Sequence, residues 1–133
     1  MYYINSIMKN YFFFIIEYIY YFSLSILTIL YLFPGSLLGY FIYGNFEQQP
    51  ILIKNTFGSS LNHFFAFFFL SVQSEIFRYK KKYFINSLIF LLCISIFFEI
   101  LHYFIPNRAF EFYDLLGNMG GVVVVIILRK LLR

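Results

Sequence analysis

The sequence predicts an all-α integral membrane protein: four transmembrane helices in an antiparallel bundle, both termini cytoplasmic, with an interfacial or re-entrant segment between helices one and two. Three observations predict it. Of 133 residues 62% are hydrophobic and 12% charged, mean hydropathy is +0.78, and 21 Phe with 13 Tyr are more than one small water-soluble core can hide. Several apolar stretches approach the roughly 20 residues that a helix needs to cross about 30 Å of hydrocarbon. Lys and Arg gather in alternate connections, as they do in chains oriented by the positive-inside rule.

The first span is expected over residues 11–33, stopped by Pro34-Gly35, a pair that ends helices. The second is expected over 61–77, with Ser59 and Ser60 able to cap its start. The third is expected over 83–105, ending before Pro106, and the fourth over 112–128. Between the first two spans, residues 37–43 are apolar but too short to cross, and are punctuated by Gly39 and Gly44, hence the interfacial or re-entrant assignment. No repeat, coiled coil or soluble domain is visible, so residues 1–133 read as one membrane domain. The phenylalanine runs, beside absent Trp, match AT-rich coding and read as lipid-facing filler.

Charge orients the bundle. Arg78, Lys80, Lys81 and Lys82 fall between spans two and three, Arg129, Lys130 and Arg133 follow span four, and Lys9 precedes span one. Only Lys54 and Arg108 fall in the other connections, so the termini are placed in the cytoplasm. The net charge of +4 then reports orientation and contact with anionic headgroups rather than nucleic acid. The N-terminal apolar run reads as an uncleaved anchor.

That orientation gathers unusual polarity at the outer leaflet. Glu99 and His102 (i, i+3) close span three, with Ser95 one turn earlier on the same face. Arg108 and Glu111 lie in the outer loop, Asp114 and Asn118 (i, i+4) open span four, and His63 opens span two. Gly117 and Gly121 form a small-xxx-small pair that would let another helix backbone approach closely, and a packed, polar-lined contact between spans three and four is expected. Glu99 sits about 9 Å inside its helix end and needs a partner, because ionised groups at mid-bilayer cost about 2.5–3.5 kcal/mol. Arg108 and His102 are the candidates, and a clasp of Glu99, Arg108 and Asp114 is the purely structural reading.

The pattern Glu99-x2-His102, then Arg108-x2-Glu111-x2-Asp114-x3-Asn118-x2-Gly121, with His63 opening an aromatic run, resembles the VanZ-like family of small integral membrane proteins over roughly residues 57–128. Family members usually carry Gln at the place of His102, Lys at that of Ser60 and Asp at that of Glu111. The resemblance implies a multi-pass protein of the bacterial cytoplasmic (inner) membrane, with a link to low-level teicoplanin resistance, and it supplies no mechanism.

Chemically, the cluster suits an outward-facing site for an anionic envelope lipid or lipid-linked precursor, with Arg108 as anchor. The alternatives are a membrane-embedded enzyme on a lipid headgroup, using His63 or His102 as acid or base, and a structural subunit with a membrane-protein partner or a second copy. No Ser or Cys nucleophile motif appears. A metal site from His63, His102, Glu99 and Asp114 lacks an H-E-x-x-H or paired-Cys signature, so no metal or cofactor is expected. A stripe of Glu17, Tyr21, Ser25 and Thr28 on span one, with Gln73 and Glu75 near the inner end of span two, is a weak proton path, the acids reading as snorkelling to the inner interface. Cys93 reads as a buried apolar residue.

Overall fold

The computed structural model describes residues 2–51, 60–79 and 81–132, with side chains from Asn10 onward. The described chain is all-helical: α1 (Tyr2–Leu32), α2 (Leu37–Tyr43), α3 (Ser60–Arg78), α4 (Leu88–Leu101) and α5 (Phe112–Leu131). Ser59, Lys54, Lys80 and Arg133 lie outside the described residues.

Two helices are long and apolar enough to cross a membrane, α1 over Asn10–Leu32 and α5 over Phe112–Leu131. Only 17% and 28% of those segments are buried within the protein, so most of their apolar surface faces outward. A helix that served as the core of a soluble fold would be covered on nearly all sides. The inward stripe of α1 is Tyr20, Leu24, Leu27 and Tyr31, spaced i, i+4, i+7, i+11, which is one helical face. It shares one buried core with Phe67, Leu70 and Phe77 of α3, Leu91 and Phe98 of α4, and Val122 and Val125 of α5.

After α1 the chain turns at Pro34 and at Gly35, whose φ is +91°. The Ser36 side chain then accepts from the Gly39 N–H at 2.9 Å to start α2, and Gly44 in the left-handed region closes it. Gly39 lies inside this helix rather than breaking it. A Cβ there would strike the Gln48 carbonyl, so the following loop folds back over it.

The third expected helix differs from its sequence limits, beginning at Leu88 and ending at Leu101. Asn86 is the reason for the late start. Its Oδ1 accepts from Tyr83 N–H at 2.9 Å and its Nδ2 donates to Lys81 O at 2.7 Å, giving the backbone an alternative to helix. Ser87 then caps α4 by accepting from Phe90 N–H. Asn86 is fully buried, and Ser74 Oγ and Tyr20 Oη donate to the carbonyls of Asn86 and Ile85. Cys93 is exposed, a correction to its expected burial: the inward face of α4 is Leu88, Leu91, Ser95, Phe98 and Glu99, and Cys93 falls on the other side.

The helix that the small-residue pair admits is α3, while the expected polar contact between spans three and four is made by Glu99 with Asn118 and the Glu111 N–H. Gly117 and Gly121 approach α3, where a Cβ would strike the carbonyls of Ser60 and Phe64 respectively. The constant offset shows α3 and α5 running in the same direction, each antiparallel to α4. At the far end Lys81 bridges to Glu17 at 2.7 Å and Arg129 to Glu75 at 3.1 Å, which accounts for both acids. The expected path on α1 is not continuous among the described residues: Ser25 and Thr28 turn back onto the carbonyls of Tyr21 and Leu24.

Replacing Gly121 by Ala should lower thermal stability in detergent by about 1–3 kcal/mol, because the new methyl meets backbone that cannot rotate away. Gly120→Ala is the control. Its Cβ comes no nearer than 3.4 Å to the Phe64 ring, so helix propensity should leave it neutral or slightly stabilised. Equal melting temperatures for the two variants would contradict the α3–α5 contact.

Candidate functional site

Four helices bring a buried polar cluster together at the end of the bundle where α3 and α5 begin. Tyr31 comes from the last turn of α1, Ser60 and His63 from the first turn of α3, Glu99 and His102 from the end of α4, and Asp114 and Asn118 from the start of α5. All but His63 are buried, and Glu99 and Asn118 are wholly covered. Apolar surroundings make each unpaired polar group costly, and the pairing is correspondingly dense.

Tyr31 Oη donates to Asn118 Oδ1 at 2.5 Å and lies 2.7 Å from His63 Nδ1. His63 Nε2 is 3.2 Å from Asp114 Oδ2, while Asp114 Oδ1 accepts from Ser60 Oγ at 2.6 Å. Asn118 Nδ2 donates to Glu99 Oε2 at 3.4 Å, and Glu99 Oε1 accepts from the Glu111 backbone N–H at 3.0 Å. His102 sits between two acceptors, Glu99 Oε1 at 3.4 Å from Nδ1 and Tyr31 O at 3.2 Å from Nε2. Satisfying both takes two protons shared between His102 and Glu99, as imidazolium with carboxylate or imidazole with carboxyl. Ser95 is buried on the same face of α4, but its hydroxyl bonds Leu92 O and takes no part.

Arg108 does not join Glu99 or Asp114 in the expected clasp. The chain reverses at Asn107, whose φ is +59°, and the guanidinium reaches the end of α1: Nε donates to Phe33 O at 3.2 Å and Nη2 to Leu30 O at 2.6 Å. Carbonyls at a helix C-terminus are natural partners for a cation. Among the described residues no carboxylate pairs with Arg108 and nothing accepts from Nη1. Burial pushes its pKa down, opposed by Tyr31, Glu99 and Asp114, and a guanidinium remains charged under these conditions. Glu111 stays on the exposed rim, its carboxyl pushed above the usual value by partial burial and then by the charges of Asp114 and Glu99.

A cavity of about 110 Å³ lies between α1 and α3 beside this cluster. Arg108, His63, Tyr31 and Asn62 supply its polar lining, and Leu27, Leu30 and Ala66 the rest. The arrangement can therefore present a cation and an imidazole to a small anionic group. It does not form a Ser–His pair, because Ser60 donates to the aspartate. Among the described residues no three His, Cys, Asp or Glu side chains converge as a metal would require.

Sequence reasoning missed Tyr31 and gave Ser60 no partner. The signal for Tyr31 was its place in the stripe Tyr20–Leu24–Leu27–Tyr31, a phenol held on the inward face at the end where the other polar residues gather. No family model, no curated protein and no solved structure matches the chain.

A double-mutant cycle on unfolding in detergent checks the pairing. Glu99→Gln with His102→Gln should show coupling of about 0.5–3 kcal/mol, as contacting residues do. Glu99→Gln with Arg108→Gln should couple more weakly, since those side chains share no hydrogen bond. The opposite order would restore the Glu99–Arg108 clasp.

Proposed function

We propose that the chain is a four-span, VanZ-like protein of the bacterial cytoplasmic membrane, with both termini inside, that holds the anionic headgroup of an envelope lipid or lipid-linked precursor at its outer-leaflet end. The observation that carries this reading is Arg108: a half-buried cation without a carboxylate partner among the described residues, keeping Nη1 for a ligand on the wall of a cavity shared with His63. Phosphate and carboxylate are the groups that a guanidinium binds with most geometric specificity.

Other features support the membrane arrangement. The 19 residues of α3 span about 28 Å, close to the hydrocarbon thickness. The 14 residues of α4 reach about 21 Å, extended at one end by the tightened turn over His102, Tyr103 and Phe104. Both lie against the two longer apolar helices. On α2, Leu38, Phe41 and Ile42 are exposed, as suits a segment lying in the interface. Arg78, Lys81, Lys82, Arg129 and Lys130 occupy the end opposite Arg108, the distribution that the positive-inside rule assigns to the cytoplasm.

The hydrogen-bonded inner cluster serves in this reading as the frame that fixes Arg108 and His63. Ser60, at the place where VanZ-like proteins carry lysine, serves Asp114 by a short hydroxyl donor instead. Through that resemblance the reading extends to a link with low-level teicoplanin resistance.

Two measurements test it. A reporter active only outside the cytoplasm should give signal when inserted within residues 45–51 and none when fused after Arg133; the reverse would place the cluster inside. In native mass spectrometry the wild type should retain a phosphate-bearing lipid beyond its abundance in the membrane, and Arg108→Gln should lose it with helical content unchanged. Lipid retention in bulk proportions by the wild type would overturn headgroup recognition, and turnover of the lipid would establish an enzyme instead.

A further inference from the structure

The cavity beside Arg108 has a neighbour of about 260 Å³ along the α1–α3 seam, and the two share Leu27, Leu30 and Ala66 as walls. Phe22, Ile26 and Phe69, all exposed, line the second part, so the slot opens sideways along the α1–α3 seam. Gln73 stands toward its inner end, with a buried Oε1 that accepts from nothing among the described residues.

The sequence explains why the seam is open here. Ala66 interrupts an otherwise aromatic run, Phe64, Phe65, Phe67, Phe68 and Phe69, at the position common to both cavities. On the other side of α3 the seam is closed, because Gly117 and Gly121 bring the α5 backbone against it. The slot is thus a directed gap: polar and cationic at one end, apolar along its length, and open laterally.

We propose that this slot seats one acyl chain of a phosphate-bearing lipid whose headgroup lies at Arg108. The inference rests on the headgroup reading above and narrows it. Along α3, His63 to Gln73 is about 15 Å, half of the roughly 30 Å hydrocarbon, so a chain of one leaflet's depth fits. The much longer isoprenoid chain of a lipid-linked precursor would overrun Gln73, which favours an ordinary acyl lipid. An apolar chain gains little by exchanging lipid neighbours for apolar side chains. Selection therefore comes from the charge at Arg108, and the slot fixes where the chain runs.

The test uses the full chain in phosphatidylcholine nanodiscs with two photoactivatable probes, phosphatidic acid and phosphatidylcholine, each carrying a diazirine midway along one chain. The expected result is that the phosphatidic acid probe labels residues 22–30 and 66–73 in clear excess over the phosphatidylcholine probe. Ala66→Phe should abolish that excess at those residues, and Ala66→Leu, a smaller filling, should reduce it if the larger variant fails to fold. Excess inorganic phosphate should leave the labelling unchanged. Displacement by inorganic phosphate would assign Arg108 to a soluble anion and overturn the proposal. Undiminished labelling in both Ala66 variants would overturn the slot while leaving headgroup recognition standing. If wild type retains phosphatidic acid no better than phosphatidylcholine in native mass spectrometry, the headgroup reading itself fails.

Discussion

The hydrogen bond from Tyr31 to Asn118 is the contact on which the rest of the polar end depends. Asn118 offers one acceptor and two donors: its oxygen takes the Tyr31 hydroxyl from α1 and lies 3.2 Å from His63 Nδ1 of α3, while its nitrogen donates to Glu99 of α4. One α5 side chain therefore ties all four long helices at a single level. Where water is scarce, a polar group lacking its partner costs more than a lost hydrogen bond returns, so a slip of any helix by one turn would strand several groups together. That constraint sets register more sharply than the apolar contacts elsewhere, where aromatic side chains can repack.

Close approach of α3 and α5 makes the arrangement geometrically possible. With backbone nearly touching backbone at Gly117 and Gly121, short side chains suffice: Ser60 reaches Asp114 and His63 reaches Asn118 across the same seam. The α1–α3 seam lacks such glycines, and Tyr31, a long side chain, bridges it. The difference between a glycine-closed seam and a tyrosine-bridged one leaves the lateral slot on the α1 side.

Local information in the sequence revealed the polar residues and the all-helical character, and it located the C-terminal end of α1 and both ends of α3 within a residue, while α1 begins at Tyr2, nine residues before the expected start. Spacings such as Glu99 to His102 or Asp114 to Asn118 report which residues share a face of one helix, and the structure brings these faces together. Spacing within one helix says nothing about which neighbour that face meets. For that reason the helix that Gly117 and Gly121 admit was not identified, Arg108 was given the wrong partner, and Tyr31 was passed over. The late start of α4 had a local cause in Asn86, but hydropathy weighs that residue only as one polar interruption and not as a side chain that captures two backbone groups.

The misassigned partner of Arg108 carries the functional consequence. Glu99 and Asp114, the carboxylates that charge alone would give to the arginine, are each held by a histidine from within the cluster. The guanidinium is left with neutral carbonyls at the end of α1, which orient it without cancelling its charge. Among the described residues its hydrogen bonds go to dipoles alone, with Glu99 and Asp114 acting on it from beyond hydrogen-bond reach, so its charge stands at the edge of the adjoining cavity, where apolar walls weaken dielectric screening. Had Glu99 taken Arg108, the same residues would have made a neutral clasp with nothing to offer an anion. Dividing the charges between histidine-held carboxylates and a carbonyl-held arginine gives the cluster a charged edge on the adjoining cavity.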